Sequence, residues 1–469
     1  MPSNVLVVCT DDHAQWAAGC YGNSELRTPT LDHLAATGVR MDNAFTPSPV
    51  CSPARASLWT GRLPSQHGVH DYLAESDPEV MATPWLESEL TLARVFHDAG
   101  YVTGLSGKWH LGRPDVRPGG FDYWYSHGAP VRVPQGYESP WPKSTPAPGR
   151  YNPHAITDHA VEFLRNRQAE QPFFLFVGYL ATHSPWSGHP ERLVERYRRG
   201  TFADIPQDAT HPFGRLRSEA MYTSRNDPRE ALAQYYASVS EVDEQLGRLV
   251  DELEAQGLRE STLVVYTSDH GLNAGHHGIW GKGNGTVPYN VVEESIRVPL
   301  IINHPGNVLS GQIRREPVTH CDTFLSIVEH AGLTPPAERD YPGRSHRDLW
   351  LGKAAGDWPD AVFAEYGDLR MIRTSRHKLV RRYPDGPDEL FDLRADPRET
   401  VNRISCPEQR QLVEELTNRI EEYFGEHEDA ERSGLRVRSL PRHNKDESWR
   451  DPGEHALTAD PTWLALLDD

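Results

Sequence analysis

Four short clusters along the chain carry side chains that do chemistry: Asp11-Asp12-His13, Lys108-Trp109-His110, Thr182-His183-Ser184-Pro185 and Asp269-His270-Gly271. Each follows an apolar run with strand character: VLVVCT (5–10), YVTGLSG (101–107), PFFLFVGYLA (172–181) and TLVVYTS (262–268). In an open α/β sheet, ligands bind in the crevice beyond the carboxyl ends of the strands, so the four clusters are expected to converge. Three carboxylates gathered there, Asp11, Asp12 and Asp269, repel one another unless something positive sits between them. A hard divalent cation is the natural counter-charge, and carboxylate oxygens suit calcium, magnesium or manganese. His270 can add a nitrogen ligand, which moves the choice toward a transition metal such as manganese. Lys108, and Lys282 in GIWGKGNG, offer compact positive charge to a tetrahedral anion, and a histidine can protonate a leaving oxygen near neutral pH. Taken singly, each cluster has a bland alternative: an Asp-Asp turn or helix cap, a surface lysine beside a core histidine. Lys108 and His110 reach one pocket only if the backbone between them is extended.

A further stretch, VCSPARASLWTGR (50–62), places Cys51 after Pro47 and Pro49 and before a helix-like run. That puts it at a helix N-terminus, where backbone N–H groups favour an anion. The thiol could be a low-pKa nucleophile, a metal ligand, a buried apolar filler, or a precursor that is no longer a thiol.

The elements that must position these groups are legible from periodicity. Apolar runs, with VPLIIN (298–303) as a fifth, alternate with amphipathic stretches, as expected of a mostly parallel sheet covered by helices. The clearest helix starts at Asp227-Pro228 and carries Val239, Val242, Leu246, Leu249 and Leu253 as one buried stripe, its acidic residues forming a solvated face. The segment from Gly119 to Tyr151, rich in Pro, Gly, Tyr and Trp, reads as a long irregular loop near a pocket. After Asp357 the texture changes to VFAEYG, LRMIRTS and HKLVRRYPDGPDELFDL, followed by the helical PEQRQLVEELTNRIEEYFG. The expectation is an α/β catalytic domain over 1–355 with a large, mostly parallel, helix-sandwiched sheet. A small α+β subdomain of antiparallel strands and one helix follows over 356–425, then a polar, acidic tail over 426–469 that packs as an arm. The small domain and tail could bridge the subunits of a homo-oligomer or close the pocket.

A formal net charge of −19 over 469 residues disfavours nucleic acid and anionic membrane as partners. No segment approaches the roughly 18 consecutive apolar residues of a membrane span. The N-terminus enters a strand-like run without a signal-peptide pattern, and five scattered cysteines suit a reducing compartment, so a cytoplasmic location is expected.

Together these residues resemble the sulfatase family of the alkaline-phosphatase-like superfamily. VCSPARASLWTGR matches that family's C-x-P-x-R signature and following helix, and TDDH, GKWHLG, THSP and SDHG occur in the family's order. Looser similarity runs through EESIRVPLII to ELFDLRADPRETVN, so it spans residue 5 to about 425. The resemblance implies the fold described above and hydrolysis of a sulfate ester. It implies that a maturation enzyme reading Cys51, Pro53 and Arg55 converts Cys51 to formylglycine, an aldehyde. The hydrated aldehyde offers one hydroxyl to attack sulfur and a second that lets sulfate leave by collapse to the aldehyde. By motif, Asp11, Asp12, Asp269 and His270, with the converted Cys51, resemble the ligands of one divalent metal. Family members carry Asn or His where His270 stands, so calcium is implied ahead of manganese or magnesium. Arg55 resembles the residue that steadies the hydrate, and Lys108, His110, His183 and Lys282 the groups that grip sulfate. Of these, His183 or Lys282 would protonate the leaving group and His110 would assist the collapse.

Two alternatives carry different chemistry. One is a phosphonate monoester or phosphodiester hydrolase of the same superfamily, which tends to lack the lysine that stands here as Lys108. The other is a non-catalytic binder of sulfated ligands whose Cys51 is never converted. Candidates for the pocket rim are Tyr123, Trp124, Tyr125, Trp186, His189, Asn273, His276 and His277, whose aromatic and polar side chains would suit a small sulfated sugar or aryl sulfate.

Overall fold

The computed structural model describes residues 3–127, 153–206 and 226–450, together with His211 and Ser224. The large sheet consists of β1 (Asn4–Thr10), β2 (Val39–Met41), β3 (Val102–Lys108), β4 (Tyr123–His127), β5 (Phe173–Tyr179), β6 (Thr262–Ser268), β7 (Leu300–Asn303) and β8 (Gln312–Arg314). Their order across the sheet is β8-β2-β7-β6-β1-β5-β3-β4. β1 pairs in parallel with β5 and β6, and β3 pairs in parallel with β5 and β4. β7 runs antiparallel to both neighbours, β6 and β2. The mostly parallel, helix-covered architecture is the expected one.

Strand alternation explains the layers. Val5, Val7 and Cys9 of β1 enter one core with α1 (Cys51–Thr60) and α4 (His320–His330), while Leu6 and Val8 enter the opposite core with α2 (Pro153–Asn166) and α3 (Pro228–Ala255). Trp59 anchors α1 against Phe176, at a ring separation of 4.4 Å, and against Trp109 at 5.3 Å. Truncating such a buried aromatic to alanine costs about 3–5 kcal/mol. Near the end of β3, Gly107 has φ +114°, and a Cβ there would lie 2.0 Å from the Gly178 carbonyl oxygen. Only glycine lets β3 and β5 stay paired as far as Gly107 and Gly178, one residue before Lys108.

Two sequence expectations are corrected here. The aromatic part of the stretch expected to be loop, Tyr123–His127, forms the edge strand β4, because its Tyr-Trp-Tyr run packs well on a pleated surface. The remainder of that stretch, from 128 to 151, lies outside the described residues. The apolar stripe of α3 is buried as expected, but so are its acids Glu241, Asp243 and Glu252. Asp243 accepts hydrogen bonds from the amides of Thr30 (3.0 Å) and Leu31 (2.8 Å), Glu241 pairs with His189 and Glu252 with Arg165. Asp251 and Glu254 do lie on an exposed face, whereas Glu241, Asp243 and Glu252 turn toward packed elements, and each of these three is satisfied by a donor from its neighbour.

Beyond the large sheet, β9 (Ala361–Tyr366), β10 (Leu369–Thr374), β11 (His377–Arg382) and β12 (Glu389–Asp392) form an antiparallel meander. α5 (Arg410–His427) covers it through Leu416, Ile420 and Phe424. The segment that follows runs back over the large domain and buries His443, Asn444, Glu447 and Trp449.

Candidate active site

β1 and β6 leave the sheet in register, Thr10 opposite Ser268, and the Asp269 amide donates to the Thr10 carbonyl at 3.1 Å. Asp11 and Asp269 are therefore neighbours by construction. Asp12 follows in the left-handed region, φ +61°, a costly conformation for a non-glycine residue. Neighbours hold the turn: the Tyr235 hydroxyl donates to the Asp12 carbonyl at 3.0 Å, and the Thr182 hydroxyl to the Asp11 carbonyl.

Onto these strand ends α1 delivers Cys51, its first residue, 2% exposed. Its Sγ lies 3.0 Å from Lys282 Nζ, 3.4 Å from Asp11 Oδ1 and 3.4 Å from His270 Nε2. Lys282 also donates to Asp12 Oδ1 at 2.7 Å, and Lys108 donates to Asp11 Oδ2. Burial pushes the Cys51 thiol up, but Lys108, Lys282 and His270 outweigh it and hold the group well below its ordinary value. Burial likewise opposes the charge of Lys282, yet Asp12 and the Cys51 thiolate keep it well above the usual lysine range.

His270 Nδ1 donates to the Gly271 carbonyl at 2.8 Å, which leaves Nε2 facing the acids. That nitrogen is 3.4 Å from Asp12 Oδ1, 3.5 Å from Asp269 Oδ1 and 3.8 Å from Asp11 Oδ1. One donor atom from each of Asp11, Asp12, Cys51 and His270 lies within 4.8 Å of the others. Asp269 is outside that group of four. Its Oδ2 accepts from Arg55 Nε at 2.9 Å, an ion pair with both side chains fully buried.

Sequence-expected residues thus come together around Cys51, with two differences in detail. Arg55 reaches Asp269 and, at 3.2 Å, the Lys108 carbonyl. His110 arrives although the backbone is not extended there: its φ is +59°, and the left-handed turn swings the ring back toward Cys51, whose thiol it helps to lower. Its Nε2 donates to the Leu73 carbonyl at 2.9 Å. His183 stands at the open side, its side chain 28% exposed and Nε2 4.0 Å from Asp12 Oδ2. Burial and Lys282 oppose its protonation, but Asp12 and Asp11 hold it above its ordinary value.

Several rim candidates brace loops. Trp186 donates to the Thr182 carbonyl at 2.9 Å and packs on Tyr235. His189 is bonded to Glu241 at 2.9 Å and Asn273 donates to Ser295 Oγ at 2.8 Å. His277 is bonded to Glu294 at 2.8 Å, while His276 packs on Trp16 at a ring separation of 4.7 Å. Tyr123 is bonded to His159 at 2.7 Å, Tyr125 stacks on the same ring at 3.6 Å, and Trp124 packs on Trp109. Sequence reasoning missed three supports: Tyr235, the Leu73 carbonyl, and His320, whose Nε2 donates to the Asp269 carbonyl at 2.8 Å. None carries a local signal, since each acts through a backbone oxygen far away in sequence.

A family profile described as Sulfatase matches residues 3–333. The chain belongs to the sulfatase family. A second profile, described as N-sulphoglucosamine sulphohydrolase, C-terminal, matches residues 275–426. The sulfatase is 27% identical over 504 positions to an N-acetylglucosamine-6-O-sulfatase of Bacteroides thetaiotaomicron, covering 91% of this chain and 87% of the relative. It is 30% identical over 454 positions to an ulvan-active sulfatase of Formosa agariphila, covering 90% and 81%. One similar solved structure is described as a complex with its substrate D-glucosamine-2-N,6-O-disulfate (TM-score 0.73, 26% identity, 91% of this chain and 98% of that one). The phosphonate monoester hydrolase of Agrobacterium radiobacter shares the fold (TM-score 0.70, 20% identity, 91% and 96% covered). As a sulfatase, the protein is a sulfuric ester hydrolase. No helix among its described residues is long and apolar enough to cross a membrane.

Proposed function

We propose that this sulfatase cleaves the sulfate monoester of a small organic molecule, a sulfated sugar or an aryl sulfate, using a formylglycine made from Cys51 and one divalent cation. The observation that carries the reading is the position of Cys51 Sγ, where Lys282, His270 and Asp11 meet at the first turn of a buried helix. That sulfur stands in for the hydroxyl oxygens of the converted residue. The names of the relatives, an N-acetylglucosamine-6-O-sulfatase and an ulvan-active sulfatase, support a carbohydrate ester.

The residues present fit a cation. Asp11, Asp12, His270 and the converted Cys51 would hold it, and Asp269 would add Oδ1, which lies 3.5 Å from His270 Nε2: oxygen donors dominate, His270 Nε2 faces the carboxylates, and Asp12 Oδ2 is buried without a hydrogen-bond partner. That donor set favours calcium, with manganese or magnesium next. A bound cation supplies Lewis acidity and offsets the carboxylate charge. Lys108 and Lys282, both beside Cys51 and nearly buried, bind sulfate oxygens where little water screens them. His183, on the open side and held toward its protonated form, passes a proton to the departing alcohol oxygen, with Lys282 as the second candidate. His110 donates through Nε2 to the Leu73 carbonyl, which fixes its ring beside Cys51, where it would assist the collapse to the aldehyde. Arg55 steadies this wall by holding Asp269 and the Lys108 carbonyl.

The acidic composition and five free cysteines support a cytoplasmic enzyme that meets its maturation enzyme and a small ester rather than nucleic acid or membrane. The deciding experiment combines two measurements on protein from a host with the maturation enzyme. Mass analysis of the Cys51 peptide is expected to show the aldehyde. A panel of sulfated mono- and disaccharides, aryl sulfates, choline sulfate and matched aryl phosphodiesters is expected to show highest kcat/KM on a sulfate ester. An unconverted thiol, or faster phosphodiester cleavage, overturns the reading.

A further inference from the structure

The segment 70–74 runs between the site and the C-terminal arm, and its backbone groups bond to both. On one side, the His70 amide donates to His443 Nε2 at 2.9 Å, the Tyr72 carbonyl accepts from Asn444 Nδ2 at 2.9 Å, and the Ala74 amide donates to the His443 carbonyl at 2.9 Å. On the other side, the Leu73 amide donates to Ser52 Oγ at 3.0 Å and its carbonyl accepts from His110 Nε2 at 2.9 Å. Residues 70, 72 and 74 thus bond to the arm, and Leu73 bonds toward the site. The arm is itself held. His443 Nε2 accepts from His70, so Nδ1 carries the proton, which it donates to Glu447 at 2.8 Å. The His443 ring stacks on Trp85 at 4.7 Å, and the Tyr72 hydroxyl donates to Asp446 at 2.7 Å.

His110 depends on Leu73 in particular. Its backbone is in the left-handed region, and its Nδ1 is buried without another hydrogen-bond partner, so the bond to the Leu73 carbonyl is what sets the ring's tautomer and direction. We infer that His443 and Asn444 hold segment 70–74 in the register that aims His110 at Cys51, which makes His443 a positioning residue of the active site. This inference rests on the role of His110 proposed above.

The test is a double-mutant cycle on the matured, metal-loaded full chain, using the best sulfate ester from the panel. His443→Ala is expected to lower kcat by about 10- to 100-fold with KM changed by less than about twofold, as for a misaimed group outside the substrate contacts. In a His110→Ala background the same substitution is expected to cost less than about twofold, because the residue it aims is gone. His443→Gln, whose side-chain oxygen can still accept from the His70 amide, is expected to recover most of the activity. Asn444→Ala, which keeps the His443 bonds, is expected to give a smaller loss that also vanishes in the His110→Ala background. Equal losses in both backgrounds overturn the inference, since general destabilisation acts whether or not His110 is present. Amide exchange supplies an arm independent of turnover: His443→Ala is expected to speed exchange in the peptides holding Leu73 and residues 108–112. Unchanged protection at 108–112 overturns the inference even if no sulfate ester is turned over, whereas lack of turnover by the parent with faster exchange in the variant overturns only the proposed function.

Discussion

Replacing Arg55 by methionine isolates the electrostatics of the site. Arg55 and Asp269 are fully buried with Nε 2.9 Å from Oδ2. Around them each carboxylate has its own cation, in the pairs Arg55–Asp269, Lys108–Asp11 and Lys282–Asp12. Methionine keeps most of the volume and removes one positive charge, leaving Asp269 buried without its partner. One-sided loss of a buried pair costs about 3–5 kcal/mol. With an unfolding entropy of about 2.1 cal/mol/K per residue, a chain of this length loses about 1 °C per kcal/mol, so the Tm of Arg55→Met should fall by about 3–5 °C. Adding Asp269→Asn removes the stranded charge and should restore roughly half of that loss or more. The assay is calorimetry on unconverted protein in chelator, so that neither maturation of Cys51 nor a bound ion enters the comparison. A fall below about 1 °C, or a double variant no more stable than Arg55→Met, would refute the charge-pairing reasoning.

His183→Gln should abolish the basic limb of the kcat/KM profile: with His183 raised above 6.5, its acid form serves at neutral pH and is lost as pH rises past that raised value. The loss should be greatest for esters of alkyl alcohols and small for aryl sulfates with good leaving groups, and equal losses on both would contradict a proton-donor role. Lys282→Ala should lower kcat/KM by about 100-fold or more on every sulfate ester, measured at equal Cys51 conversion, and a loss under tenfold or so would argue against contact with sulfate. Chelation should abolish turnover and calcium should restore it, so activity that survives dialysis against chelator would count against the cation. Glu365 is pushed up to about 7 by burial, with Arg370 and Ser65 pulling the other way. A raised carboxyl contributes stability that is full below its ordinary value near 4.5 and is lost as pH rises through about 7. Glu365→Gln should therefore gain on the parent by on the order of 2–3 kcal/mol between about pH 5 and 8 in thermal or denaturant unfolding, and a pH-independent difference would exclude this assignment.

Much of the architecture was readable because its determinants are local. Short, near-continuous apolar runs mark β1, β3, β5 and β6, and the strand-end rule gathers Asp11, Lys108, His183 and Asp269 without knowledge of any contact. The stripe on α3 was equally plain, since a helix shows its buried face in its spacing. What failed to be legible depended on partners. The acids of α3 look solvated until the amides of Thr30 and Leu31 and the ring of His189 are seen against them. The aromatic run of β4 looks like loop until β3 offers it an edge.

The sequence by itself determined the chemical inventory of the site: carboxylates, lysines and histidines at strand ends, and a cysteine opening a helix within C-x-P-x-R. Tertiary structure alone decided how that inventory is aimed. It assigns Asp269 Oδ2 to Arg55, turns His110 through a left-handed backbone onto the Leu73 carbonyl, and reaches Asp12 with a tyrosine 223 residues away and His70 with a histidine 373 residues away. Residue type fixes which charges and donors exist, whereas tautomer, orientation and charge balance follow from burial and hydrogen bonding among groups that only the packed fold brings within 3–4 Å.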